Sequence, residues 1–348
     1  MLIARAPLRI SLAGGGTDLE AYYGKYGGAV LSASIDKFFY VFMSLSDSEH
    51  LQVSSSDYRT FYRHRVDAYP LWDGDLRLPQ VILRHFGVDT GLSVFLASQV
   101  PPGTGLGSSS TVAVALIKAM AVLRGDRLTR YEIADLACRI EIEELGMPIG
   151  KQDQYAAAFG GLNFIEFTPD GVRVEPMELP EDTARELERR LMLFFTGRSR
   201  NSAAILGEQK RNSERNRATV IEALHIIKEE ARTLRTELRR GNIAAVGKSL
   251  HESWMAKRRL AQGISDPWID QWYEAARAAG ASGGKIAGAG GGGFLLLYCE
   301  PELQDQVTEA LEGNGLSRMD FRFESGGAMV IMNTLAGKVG ALAKPAHV

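Results

Sequence analysis

A chain of 348 residues, 45% hydrophobic and 24% charged, is too long for one ordinary hydrophobic core, so two domains are expected. Its 40 basic and 42 acidic residues give a formal charge of −2 without any long block of like charge, which argues against nucleic-acid and membrane partners and for a small molecule. Cys138 and Cys299, the only cysteines, offer no zinc cluster or disulfide framework; with no signal-like N-terminus and no membrane-length apolar run, the expectation is a soluble cytoplasmic protein.

In chain order, Leu8–Leu12, Ala29–Ile35, Phe38–Leu45 and Leu92–Val100 read as strands, being short β-branched or aromatic runs separated by Gly, Asp and Ser. Thr111–Leu123 is apolar on every side, the mark of a buried helix. A second helix is expected over Thr129–Leu145, closed by Gly146 and Pro148, followed by a strand at Leu162–Phe167. The polar connection Pro176–Asp182 suggests a domain boundary near 180, giving domains of residues 1–180 and 181–348. Beyond it come a strand at Leu191–Phe195 and a helix with Val220, Leu224, Ile227, Ala231, Leu234 and Leu238 on one stripe. Asp266-Pro267 caps another helix that ends near Gly280, and FLLLY follows as a strand. The order of elements implies an α+β fold.

Four segments carry chemistry. The first, PPGTGLGSSS (residues 101–110), lies between an expected strand and the buried helix. Pro102, Gly103, Thr104, Gly105, Leu106 and Gly107 form a loop whose glycines let backbone N–H groups turn inward, and the helix start adds unpaired donors and partial positive charge. That is a phosphate cradle; Ser108, Ser109 and Ser110 add hydroxyls for capping, phosphate or a Mg²⁺ shell. The plainer reading is a glycine-rich turn with a serine N-cap. No Walker A loop is present, and Gly288, Gly290 and Gly293 match G-x-G-x-x-G only formally, because a strand follows them instead of a helix.

The second segment is EIEELGMPIGKQDQY (residues 141–155), where Glu141 extends the apolar line of Ile133 and Ala137. A carboxylate on a core-facing line costs free energy unless offset, so Glu141 is a candidate Mg²⁺ ligand; tolerance at a helix end is the alternative. Asp153, near Lys151, is a candidate proton acceptor from an alcohol. In the third segment, APLRISLAGGGTD (residues 6–18), Gly14, Gly15, Gly16 and Thr17 allow a ligand to approach the backbone. There Asp18 can accept bonds from sugar hydroxyls and Arg9 can neutralise developing phosphate charge, or the segment is simply a tight turn with an Asx cap. The fourth, GGKIAGAGGGGF (residues 283–294), which contains Gly290 and Gly291, suits close packing against a ligand or the phosphate loop, or equally between two domains.

With these segments in order, the chain resembles the GHMP kinases, named for galactokinase, homoserine kinase, mevalonate kinase and phosphomevalonate kinase, over nearly its whole length. The resemblance implies an N-terminal α/β domain and a ferredoxin-like C-terminal domain with the active site between them, and ATP and Mg²⁺ as cofactors. By motif position, Ser108 and Glu141 would ligate Mg²⁺, Asp153 would be the base, Arg9 would assist it, and Asp18 would bind substrate hydroxyls, with Lys151, Gly290 and Gly291 near the substrate. Galactokinases carry Gly-Glu-His where Gly14, Gly15 and Gly16 stand here, which removes two side chains that grip galactose. GGGTD and GKQDQYAAAFGGLNFIEF look most like the branch of D-glycero-D-manno-heptose 7-phosphate kinases, which phosphorylate the anomeric hydroxyl on a route to nucleotide-activated heptose.

A phosphosugar needs a basic pocket, and Arg198, Arg200, Lys210 and Arg211 are candidates for it, or ordinary surface charges. The competing readings are a fucokinase-like kinase of a free sugar and a non-catalytic sugar sensor; a sensor has no need of Ser108, Glu141, Asp153 and Arg9 together. The partner is expected to be a small sugar or sugar phosphate, with a homodimer left open.

Overall fold

The computed structural model describes residues 1–46, 48–57, 59–66, 76–88, 91–198 and 202–335. The chain begins with β1 (Leu2–Ala13), α1 (Glu20–Tyr26), β2 (Gly28–Leu45), β3 (His50–Ser55), β4 (Thr60–Arg65), α2 (Arg77–His85) and β5 (Leu92–Ser98). It continues through α3 (Ser108–Arg124), α4 (Arg130–Cys138), a π-helical segment (Arg139–Glu144), α5 (Gln152–Phe159), β6 (Leu162–Thr168) and β7 (Gly171–Pro176). Then come α6 (Glu181–Arg190), β8 (Leu191–Phe195), α7 (Ser202–Glu214), α8 (Ala218–Arg239), α9 (Ala245–Lys257) and α10 (Pro267–Ala278). The remainder is β9 (Gly283–Ile286), β10 (Phe294–Tyr298), α11 (Gln304–Glu312), β11 (Ser317–Arg318) and β12 (Met329–Asn333).

The first sheet runs β12-β1-β2-β5-β3-β4, with β6 also pairing β2 and β7 pairing β6; the second runs β11-β8-β10-β9. Ala29–Ile35 and Phe38–Leu45 were expected as separate strands, but β2 is continuous. The polar pair Asp36-Lys37 marks an irregularity instead of a turn: the pairing of β1 with β2 shifts between Pro7 and Leu8. One half of β2 pairs β6 and the other half β5, so a single strand spans the sheet's two arms.

Helix α3 is buried on nearly every side, as its composition requires. The helix expected over 129–145 starts with a capping box at Thr129 and Glu132, but its regular part ends at Cys138 and a wider π turn carries Glu141. The six apolar residues of the α8 stripe are all buried. Asp266 caps α10 by accepting from the Ile269 N–H at 2.9 Å.

Three apolar clusters hold the molecule together. One lies between the first sheet and α3, α4 and α5, and a second surrounds the outer helices of the second sheet. The third joins Leu8, Ile10 and Leu31 of the first sheet to Leu193, Leu234, Leu250 and Phe294, fastening the two sheets across the region where the glycine-rich segments meet. No helix among the described residues is long and apolar enough to cross a membrane.

Candidate active site

The phosphate loop is held against β1 by the Arg9 N–H, which donates to the Leu106 carbonyl at 3.1 Å. Gly107, with φ 81°, occupies the N-cap of α3 and supplies no side-chain oxygen, so the serine cap considered from sequence does not form. Ser108 is the first helical residue, and the start of α3 opens onto the cleft. Gly105, with φ 85°, would place a Cβ 2.4 Å from the Ala287 carbonyl, so the loop and the fourth segment approach backbone to backbone.

Arg9 projects from β1 with 3% of its side chain exposed. Its Nε and Nη2 both donate to Asp153 Oδ1, at 2.8 and 2.6 Å, and its Nη1 donates to the Gly105 carbonyl at 2.6 Å. Asp153 stands in the first turn of α5, with Oδ2 lying toward Gly107. Lys151, considered from sequence as its charge partner, turns away: its ammonium sits 5.4 Å from the Tyr23 ring centre, in a small pocket shared with Asp18, Cys138 and Lys210. Arg9 fills that role instead.

Asp18 is buried. Its Oδ1 accepts from the Gly16 N–H at 2.9 Å and from Gln152 Nε2 at 3.2 Å, and its Oδ2 from the Gln152 N–H at 3.1 Å. Burial, with the charge of Asp153 behind it, pushes its carboxyl above the usual carboxylate range. The Asx cap considered from sequence does not form, since Asp18 accepts from a preceding N–H and Leu19 opens α1 without a side-chain bond; Asp18 lines the cleft. Gly150 is required by this arrangement, since a Cβ there would lie 1.9 Å from Asp18 Oδ2.

Glu141 is fully buried, accepting from Ser110 Oγ at 3.1 Å and Gln154 Nε2 at 2.7 Å. Burial pushes its carboxyl up to about 8, against these hydrogen bonds. Ser110 and Ser109, not Ser108, supply the hydroxyls that act on it. The serine hydroxyls at the start of α3 and the Glu141 carboxylate bonded to Ser110 are oxygen donors of the kind Mg²⁺ takes. Among the described residues no cluster of three or more His, Cys, Asp or Glu forms a metal cage, so such an ion would draw most of its ligands from phosphate and water.

A cleft of about 440 Å³ is lined by Arg9, Asp18, Ser108, Asp153, Gln209 and Lys257 among others, with Glu141 buried behind Ser110 of its wall. An adjoining cavity of about 300 Å³ shares Pro102, Ser108 and Ser109 with it and is walled by Phe39, Leu76, Leu96 and Val112. Not every expected residue faces the cleft. Gly14 and Thr17 are packed under it, with Thr17 Oγ1 bonded to the Gly14 carbonyl at 2.8 Å, and Gly15 would place a Cβ near Ser11 and Gln152. Gly290 and Gly291 pack on Ile264, while Gly288 and Ala289 reach the cleft. Arg198 is held by Asp266 at 3.7 Å and by the Trp268 and Trp272 rings; Arg200 lies outside the described residues. Gln209 and Lys257 were missed from sequence. Gln209 Nε2 donates to the Gly16 carbonyl at 3.3 Å, and Lys257 Nζ donates to the Gly288 carbonyl.

The family model described as GHMP kinases N terminal domain matches residues 77–161, and that described as GHMP kinases C terminal matches residues 234–315. The D-glycero-alpha-D-manno-heptose 7-phosphate kinase of Campylobacter jejuni is 34% identical over 329 residues, covering 93% of this chain and 96% of the relative. The crystal structure of a D-glycero-D-manno-heptose 1-phosphate kinase from Bacteriodes thetaiotaomicron superposes with a TM-score of 0.79 at 30% identity, over 96% of this chain and 99% of the other. Lactococcus lactis galactokinase, at 19% identity and TM-score 0.74 over 94% of each chain, shares the fold.

Proposed function

The chain belongs to the GHMP kinases, and from that premise we propose that it transfers the terminal phosphoryl group of ATP to the anomeric hydroxyl of a heptose 7-phosphate, giving the 1,7-bisphosphate. The observation that carries the kinase reading is the Arg9–Asp153 pair tied to Gly105 of the phosphate loop and facing Asp18 across one cleft. The choice of a heptose phosphate is supported by the 34% identity over almost the full length of both chains.

In this reading the nucleotide phosphates lie on the loop and the N-terminus of α3, with the base in the adjoining apolar cavity. Asp18 accepts bonds from sugar hydroxyls. Asp153 takes the proton of the acceptor hydroxyl as its oxygen forms the new bond to phosphorus; the bond to the bridging oxygen breaks, and ADP leaves with the electron pair. Arg9 offsets the charge that accumulates on the transferring group. Glu141 and a serine hydroxyl would hold Mg²⁺, which would supply charge neutralisation at the phosphates. Residues 1–180 and 181–348 would be the two domains, with the cleft between them.

The relatives bear the names of a 7-phosphate and a 1-phosphate kinase, and either monophosphate would yield the same 1,7-bisphosphate. ADP release should therefore be measured with heptose 7-phosphate, heptose 1-phosphate, free heptose, mannose and fucose. The expected order places heptose 7-phosphate first in kcat/KM. Equal efficiency with free heptose would move the reading to a kinase of unphosphorylated sugar, and no turnover of any of them would remove the sugar-kinase reading.

A further inference from the structure

Lys257, the last residue of α9, is 6% exposed, yet it lines the cleft. Among the described residues no carboxylate stands within ion-pair distance of it. The nearest acidic groups are already engaged: Asp153 by Arg9, and Asp18 by the N–H groups of Gly16 and Gln152. Its ammonium donates to the Gly288 carbonyl, and Gly288 packs directly on Gly105, the residue whose carbonyl Arg9 holds. Two buried cations from different parts of the fold are thus tied to one point of the phosphate loop, but only one of them has an anion. A buried charge without a counter-charge costs free energy, so a site that retains one is built for an anion that arrives with the ligand.

We propose that Lys257 is a further catalytic residue, whose ammonium binds the phosphoryl group during its transfer and, together with Arg9, neutralises its charge. This rests on the kinase reading above. Lys257 keeps its protons throughout; the acceptor's proton goes to Asp153, and the only bonds changed are the two to phosphorus. The charged groups facing it are Arg9 from β1, Asp18 after β1, Asp153 from α5 and Lys285 from β9. Burial and the neighbouring Arg9 push its ammonium down to about 8, against the opposing pull of the two aspartates.

The test compares Lys257→Met and Lys257→Arg in the full chain. It measures affinity for MgADP with and without aluminium fluoride, which mimics the phosphoryl group in flight, along with steady-state kinetics. Lys257→Met should bind MgADP within about threefold of the parent, lose most of the extra affinity conferred by aluminium fluoride, and lose about 10²–10³-fold in kcat with little change in acceptor KM. In the parent, kcat/KM should decline above about pH 8, and Lys257→Arg, which keeps part of the activity, should move that decline upward. The proposal is overturned if Lys257→Met binds the aluminium fluoride complex as tightly as the parent. It is equally overturned if only the KM of a phosphorylated acceptor rises, which would put Lys257 on the sugar's own phosphate. Should Lys257→Met fail to fold, a fully active Lys257→Arg with an unmoved alkaline decline would also overturn it. A parent that binds the complex tightly but turns over no heptose phosphate would sink the substrate reading and leave Lys257 in place.

Discussion

At the scale of single residues, the site is a set of buried charges whose partners decide their roles. Asp153→Asn keeps the shape of the side chain but cannot take a proton, so turnover should fall about 10²–10⁴-fold while MgADP binding persists. Activity within threefold of the parent would leave catalysis to positioning and charge alone. Glu141 yields a prediction about stability. The unfolded chain loses this proton near 4.5 and the folded chain holds it to about 8, so folding takes up a proton between those values. Its contribution to stability is therefore full below about pH 4.5 and is lost as pH rises toward 8. In EDTA, the melting temperature of Glu141→Gln relative to the parent should climb by several degrees from pH 5 to pH 8; a constant difference would mean that Glu141 is ionised throughout. In the sequence Glu141 stands out by interrupting an apolar line, and Arg9, Asp18 and Asp153 by their places beside glycine-rich turns and in the family motifs. Sequence reasoning missed Lys257, which lies between Ala256 and Arg258 and reads as one more surface charge, although it continues the buried line of Leu250, Ser253 and Trp254.

At the scale of elements, the two glycine-rich segments work as one joint. Gly105→Ala would force a left-handed backbone on alanine and drive its Cβ into the Ala287 carbonyl. This should cost about 1–3 kcal/mol and weaken MgADP binding, and a variant with parental melting temperature and nucleotide affinity would show that the contact is dispensable. Most buried elements were legible because their apolar periodicity is strong: α3, α8, β6, β8 and β10 appear close to where the sequence placed them. Others were not. β3 and β4 contain no long apolar run, β4 ending in Arg63-His64-Arg65, and β12 is half exposed, so their existence depends on pairing with neighbouring strands. The π turn at Glu141 also escaped, since it shifts the helix register without altering composition.

For the whole molecule, the cleft keeps its shape only while the two sheets stay fastened by their shared apolar cluster. Leu193 is fully buried in it. Leu193→Ala should cost about 2–5 kcal/mol and lower the unfolding temperature of the entire chain in a single calorimetric transition. Two separated transitions would show that the halves unfold independently. The second half was foreseen as a separate unit, but nothing in its composition announces that the chain returns to the first sheet, where Met329–Asn333 pairs along the opening residues of β1. That return has a consequence for biosynthesis. While the polypeptide leaves the ribosome, β1 emerges long before Met329–Asn333, so one edge of the large sheet stays unsealed until that later strand has been made. Throughout elongation the nascent protein therefore exposes a ready template for strand addition by another chain. A translation product halted before residue 329 should be held by chaperones or aggregate, even though every catalytic side chain named above has already been synthesised.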